Sequence, residues 1–406
     1  MFLKTISVLS LFLFNSISLS SSSDCYCDYD FHDYRGYGCE ATGVSYLNEY
    51  EEFRIEGDHF PLDSDSTVEV MTFKNSEISY IPWQILDTFK NLRYLEIANA
   101  KLKAVNERSL DGCGHLKDLN LDGNLITELR AGVFEQCTYL LYLRLANNKI
   151  DSIDPNAFIG LGNLWYLDIQ GNSMSELNSA ILSPLSSMVQ LFIGSNNLQQ
   201  LDKNLFLNSW NLSALYIYRS PISEFHPDTF LSLTKLNRLT IYKVQITKLN
   251  PGTFRNLRNL PYLMISVGHL TEINADTFTG LSKLMQIDLS WHRITKIDPH
   301  SFDSLSNVEY FYIPNNRLTE LDNQLLASNT KVKYLDISFN FINGIQEGFF
   351  DSFGNNLKSV SAMSNVCIDK NFGNSQSSSF TNFTTQVLPY FRRCFRNYNS
   401  RHPVNP

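Results

Sequence analysis

The sequence predicts an α/β solenoid: a right-handed horseshoe with a parallel β-sheet on its concave face and short turns or helical turns on its convex face. Three observations predict it. The chain repeats every 24 residues without slippage from Leu92 (LRYLEIANAKL) through Leu116, Leu140 and Leu164 to Val332 (VKYLDISFNFI). A degenerate copy begins one period earlier at Val68, and a last one at Leu357 is offset by 25 residues, giving about thirteen coils. Each unit holds a short alternating stretch, such as Leu143 and Leu145 around Arg144, which reads as one strand. Successive strands are joined by a whole coil rather than a hairpin, so they must run parallel and stack.

The interior follows from two further columns of the repeat. Position 19 holds Phe134, Phe158, Phe206, Phe230, Phe254, Phe278, Phe302 and Phe350, and position 22 holds leucines such as Leu161 and Leu233. The phenylalanines should stack as an internal spine, each buried side chain contributing about 1.5–3 kcal/mol. Pro155, Pro227, Pro251 and Pro299 recur at position 16, where a fixed φ suits a turn and rules out a long crossover helix. At position 9, Asn124, Asn148, Asn172, Asn196, Asn316 and Asn340 are scaffold residues whose amides bond buried backbone groups. The column is interrupted at Ser220, Val244, Gly268 and His292. Drift and a local change of curvature that serves binding both account for the gap.

Organisation and compartment come next. Residues 1–22 carry Lys4, an apolar core and a run of serines, the pattern of a secretory signal peptide. Residues 23–66 form a cysteine-containing cap, 67–366 the repeats, and 367–406 a C-terminal cap and tail. No second apolar stretch suits a membrane anchor, so the mature chain is expected to be secreted and extracellular. The formal charge of −8 over 406 residues argues against nucleic acid or other polyanions as general partners.

Seven cysteines in such a chain sort by position. Cys367 and Cys394 are a candidate bridge. Cys39 should pair with Cys27, with Cys25 as the alternative, and the cysteine left over raises a disulfide-linked partner. Cys113 and Cys137 occupy one column in neighbouring coils and are either bridged or a buried reduced pair. Two sequons, Asn211-Leu-Ser and Asn382-Phe-Thr, are candidate glycosylation sites.

Binding residues should lie where strand positions 3, 5 and 7 project onto the concave face. Those columns collect Tyr94, Tyr142, Tyr166, Phe192, Tyr216, Tyr218, Tyr242, Tyr262, Tyr310, Tyr312 and Tyr334. Strand propensity and cross-strand pairing explain part of this enrichment, but aromatics gathered on one exposed surface are also what binding hot spots look like. Glu96, Asp118, Asp122 and Asp168 surround Arg144 at the N-terminal end, whereas Arg219, Arg238 and Lys243 accompany the central tyrosines. The span Tyr216–Tyr262 is the best single site, suited to acidic or aromatic groups of a partner.

Catalytic patterns are missing: no HExxH, no GxSxG, no phosphate-binding glycine loop and no zinc spacing, so neither enzyme activity nor a cofactor or metal is expected.

With its strict units, cysteine-bearing caps and leader, the chain resembles the extracellular leucine-rich repeat proteins: Toll-like receptor ectodomains, small matrix proteoglycans and, above all, the secreted leucine-rich repeat proteins of insects. The last likeness rests on the CxC…C cap, FRIEGDHFP, and VEVMTFKNSEISYIPWQILDTFKNLRYLEI before the regular coils. It implies a leucine-rich repeat solenoid and a recognition or scaffolding protein, in some members acting in innate immunity. Members that assemble through a C-terminal coiled coil carry heptads after the repeats, and residues 367–406 have none. Two readings follow: a secreted module that binds a protein or microbial ligand through its concave face, and a structural extracellular-matrix or adhesion component.

Overall fold

A computed structural model describes residues 22–32, 35–106, 108–373, 380 and 382–403. The expected leader therefore lies outside the described residues, apart from Ser22 at its end.

The cap opens with β1 (Ser22–Phe31), antiparallel to β2 (Tyr37–Thr42) and parallel to β3 (Glu52–Glu56). From β2 the sheet runs on in parallel through β4 (Val70–Lys74), β5 (Tyr94–Glu96), β6 (Asp118–Asn120), β7 (Tyr142–Arg144), β8 (Tyr166–Asp168) and β9 (Gln190–Phe192). It continues through β10 (Ala214–Tyr218), β11 (Arg238–Tyr242), β12 (Tyr262–Ser266), β13 (Gln286–Asp288), β14 (Tyr310–Tyr312), β15 (Tyr334–Asp336) and β16 (Ser359–Ser361). The last strand, β17 (Asn371–Gly373), is antiparallel to β16 and closes the 17-stranded sheet. Every predicted repeat start, Val68 to Leu357, leads into one of the strands β4 to β16. The parallel solenoid expected from the period is thus the fold.

Far from the sheet the repeat coils make turns, a few two-residue parallel pairings such as Glu128–Leu129 with Ser152–Ile153, and helices no longer than Gln84–Thr88. The four recurring prolines all sit in those turns. The phenylalanines are buried and stack from coil to coil, Phe230 on Phe254 at 6.0 Å and Phe278 on Phe302 at 5.6 Å between ring centroids. Phe350 ends the spine against Phe383 and Phe391 of the C-terminal cap. There the helix Arg392–Arg401 lies across the last coils, with Tyr398 so close to Gly344 that a Cβ on that glycine would meet its Cα at 3.2 Å.

All three candidate disulfides are present: Cys27–Cys39, Cys113–Cys137 and Cys367–Cys394. The disulfide-linked partner through the odd cysteine is corrected. Cys25 is fully buried within β1, and burial pushes its thiol up to about 12. A buried, protonated thiol is neither reachable by a second chain nor nucleophilic.

The ladder also differs from a simple gap. Intact members work as expected: Asn124 donates Nδ2 to the carbonyls of Ile97 (2.6 Å) and Leu121 (2.9 Å) and accepts from the amides of Ala100 (3.0 Å) and Leu102 (2.9 Å). Asn365, one coil beyond Asn340, continues the series. In the coils of Ser220, Val244 and Gly268 the strands β10, β11 and β12 are five residues long instead of the usual three, so sheet pairing extends to Tyr218 opposite Tyr242 and Tyr242 opposite Ser266. His292 replaces asparagine outright: Nδ1 accepts from the Leu270 amide (3.3 Å) and Nε2 donates to the Ile265 carbonyl (3.0 Å).

Candidate functional site on the concave face

Strand alternation places the aromatic columns as expected. Tyr142, Tyr166, Phe192, Tyr216, Tyr218, Tyr242, Tyr262, Tyr310, Tyr312 and Tyr334 are partly exposed, while the neighbours between them (Leu143, Leu167, Leu191, Leu215, Ile217, Ile241, Leu263, Phe311, Leu335) are buried. None of the candidate rings turns into the core. Tyr94 is the one column member that is buried, its hydroxyl donating to Glu96 and its ring covered by the Arg35 guanidinium at 4.3 Å.

The rings are not evenly distributed. A continuous run crosses four coils: Tyr142 to Tyr166 (6.1 Å between centroids), Tyr166 to Phe192 (5.2 Å) and Phe192 to Tyr216 (4.3 Å, 5° between planes). A second group, Tyr310 with Tyr334 (4.6 Å, 6°) and Tyr312 (6.4 Å), lies toward the C-terminal end, where burial pushes the Tyr312 hydroxyl up to about 12. Between them, the Arg238 guanidinium stands 5.1 Å over the Tyr262 ring, and Tyr218 lies so close against Gly194 that a Cβ there would sit 2.5 Å from the ring. The central span expected to be the best site is therefore the less connected part.

Two of its cations are also corrected. Arg219 and Lys243 do not share the concave columns. Both sit one residue past the ends of β10 and β11, at φ 49° and 56°, in a left-handed turn that carries them to the rim. The same turn recurs at Gly123, Asn147, Gly171 and Asn315, residue types that tolerate positive φ. That column was the available signal.

Beside the first aromatic run lies an acidic group that residue spacing alone did not reveal as sheltered. Arg144 pairs with Asp118 and stands 5.7 Å from the Tyr142 ring and 5.6 Å from Tyr166. Asp168 is buried; it accepts from the Gln170 amide (3.0 Å) and side chain (2.9 Å) and from the Tyr166 hydroxyl (3.3 Å). Asp122 accepts from the Ala146 amide (2.6 Å). Burial raises all three carboxyls, most clearly Asp122, pushed up to about 6 with the charge on Asp168 adding to it. Stacked strands bring the side-chain columns within about 5 Å, so each acid is desolvated by its neighbours in adjacent coils. The arrangement offers flat aromatic area, one guanidinium and partly desolvated carboxylate acceptors, which is recognition chemistry. Among the described residues no group of three or more His, Cys, Asp or Glu is arranged to hold a metal ion.

The sequons also find places. Asn211 lies at the coil edge, its Nδ2 donating to the Ser186 carbonyl (2.9 Å) and its Oδ1 accepting from Lys235 (2.7 Å). Asn382 caps the helix Phe383–Gln386 by accepting from the Thr385 amide (3.0 Å). Among the described residues no helix is long and apolar enough to cross a membrane.

Comparison with known proteins agrees with this geometry. A sequence comparison with curated proteins found no match. Among solved structures the chain is similar to Toll in the Drosophila Toll–Spatzle complex (TM-score 0.67, 20% identity, 77% of this chain and 42% of that one). It thus spans less than half of the Toll chain. It is also similar to the APL1 leucine-rich repeat domain (0.60, 17%, 92% of each chain) and to the LRIM1/APL1C complex (0.59, 16%, 84% of this chain and 64% of that one). At these identities the likeness speaks for the fold alone. The leucine rich repeat model matches residues 66–126, 114–174, 210–266, 234–292 and 258–318, together more than half of the chain, and with the stacked coils and their asparagine ladder this makes it a member of the leucine-rich repeat family.

Proposed function

We propose that this protein is a secreted recognition module that binds an extracellular protein partner through its concave face, in a role of the innate-immune kind. The observation that carries the reading is the unbroken aromatic run Tyr142–Tyr166–Phe192–Tyr216, partly exposed and flanked by Arg144, Asp168 and Asp122. Rigid aromatics held by a sheet lose little entropy on binding, and such residues dominate interface energetics. Three disulfides and the leader-like N-terminus favour an oxidising, extracellular setting. The similar Toll and LRIM1 structures are of complexes with other proteins, which favours a protein ligand.

The test replaces Tyr142, Tyr166, Phe192 and Tyr216 by Ser and repeats affinity capture from extracellular fluid. Recovery of the dominant partner should fall about tenfold or more, since loss of single anchors commonly exceeds 1 kcal/mol, while the melting temperature stays close to wild type. Undiminished recovery by a folded variant overturns the assignment.

A further inference from the structure

The ladder residue of each coil is flanked by two outward-facing columns, one residue before it and one after. Before it, the backbone is left-handed in every coil, and the six coils of Asn75, Asn99, Gly123, Asn147, Gly171 and Asn315 meet this with glycine or asparagine. Trp291 (φ 60°) and Phe339 (φ 52°) adopt the same conformation with large side chains that disfavour it. Trp291 is 59% exposed and Phe339 49%, so burial offsets only part of that cost. After the ladder stand Arg293, Arg317 and Phe341, the last 58% exposed. These five side chains, with His269, line an open hollow of about 360 Å³ on the rim.

Its charge is equally unusual. Arg293 and Arg317 are matching residues of adjacent coils, their amides bonded to Leu270 and Ile294, so their backbones stack about one strand spacing apart, roughly 5 Å. Among the described residues neither guanidinium has an ion-pair partner, in a chain whose 41 acids outnumber its 33 lysines and arginines. Like charges so placed repel, and an anion between them relieves it.

We propose that this rim is a second docking surface, separate from the concave face, for an acidic peptide segment of a protein partner. A carboxylate bridges Arg293 and Arg317, and an apolar side chain next to it lodges against Trp291, Phe339 and Phe341. Two guanidiniums lining one hollow with three large rings fit a short carboxylate segment better than a long polyanion, which needs a row of cations along its backbone.

The probe is a short fluorescein-labelled peptide alternating glutamate with phenylalanine, titrated by anisotropy against the full-length protein, with a sulfated heparin fragment and a lysine-for-glutamate peptide as controls. Saturable binding of the acidic peptide is expected, weakened roughly tenfold or more by R293E/R317E, since reversing both charges turns attraction into repulsion. Trp291→Gly should also weaken binding while leaving the melting temperature unchanged or higher, because glycine adopts this φ freely. Substitution of Tyr166 and Phe192 by Ser should leave it intact, which separates failure here from failure of the concave site. Equal binding to R293E/R317E, no binding to wild type, or binding of the heparin fragment in preference to the peptide each overturns the proposal.

Discussion

Gly268 and His292 stand in the ladder column of adjacent coils and are structurally coupled. A Cβ on Gly268 would lie 2.6 Å from Cε1 and 2.9 Å from Nδ1 of His292, with the Val244 carbonyl at 3.3 Å on the other side. The imidazole is wider than an asparagine amide, and the missing side chain is what gives it room. Gly268→Ala must therefore displace the ring, and with it the bonds to the Ile265 carbonyl and the Leu270 amide. Each buried backbone group left unpaired costs about 1–3 kcal/mol, so losing both should cost the variant roughly 2–6 kcal/mol. In the double variant G268A/H292N the narrower amide coexists with the methyl group, and about 2 kcal/mol of that loss should return as a non-additive term. Urea midpoints of the four proteins at neutral pH measure it. Simple additivity would refute the coupling, and a Gly268→Ala variant as stable as wild type would refute the steric account from which it starts.

The same imidazole makes stability pH-dependent. Burial holds the folded His292 at about 4, against 6.5 unperturbed, so the unfolded chain binds the extra proton as pH falls. Stability should decline from about pH 6.5 downward, by roughly 2 kcal/mol near pH 5, and His292→Asn should remove that decline. Asp122 acts with the opposite sign: its folded value of about 6 lies above the unperturbed 3.8, so the folded state holds the proton more tightly and its burden on stability grows as pH rises through that window. Asp122→Asn, whose carbonyl can still accept from Ala146, should stabilise at neutral pH by about 1–2 kcal/mol and not at pH 4, as read from thermal melts; an equal gain at both would sink the charge explanation. Replacing both Cys113 and Cys137 by Ser frees a link spanning 24 residues, which should lower stability by about 3 kcal/mol in chemical denaturation. A change near zero would mean that stacking alone already orders those coils.

The period made the coils, the phenylalanine spine and the tyrosine columns legible, because each is a property of one position repeated and strand alternation converts position into direction. Properties that depend on two columns at once were not. Column by column, Gly268 and His292 read as two defects; only their stacking shows that one makes room for the other. Asp122 and Asp168 read as acids on an open face, since desolvation comes from neighbours in adjacent coils rather than from the residues themselves. Cys113 and Cys137 stayed undecided for a related reason, as two buried thiols satisfy a leucine column as well as a bridge does. Cys25 lies before the repeats, where no period fixes which way a side chain points. Arg219 and Lys243 were misplaced despite a usable signal: glycine and asparagine in their column announce a turn that removes them from the sheet face.

The central coils show why such departures survive. Where Ser220, Val244 and Gly268 replace asparagine, longer strands pair more of the backbone, so the demand for buried hydrogen bonds is met by sheet instead of side chain. A solenoid coil touches only its neighbours, and its stability is close to a sum of local terms. A left-handed tryptophan or phenylalanine that costs about 1–2 kcal/mol is then borne by the stacked phenylalanines and leucines of the same few coils, without disturbing the rest. Residues that hold the coils together are confined to the inward columns, and the outward ones are free to carry strained aromatics or unpaired arginines. Selection for binding at Trp291 and Phe339 is thus compatible with selection for stacking at Phe278 and Phe302 in those same coils, because the two act on side chains that point in different directions.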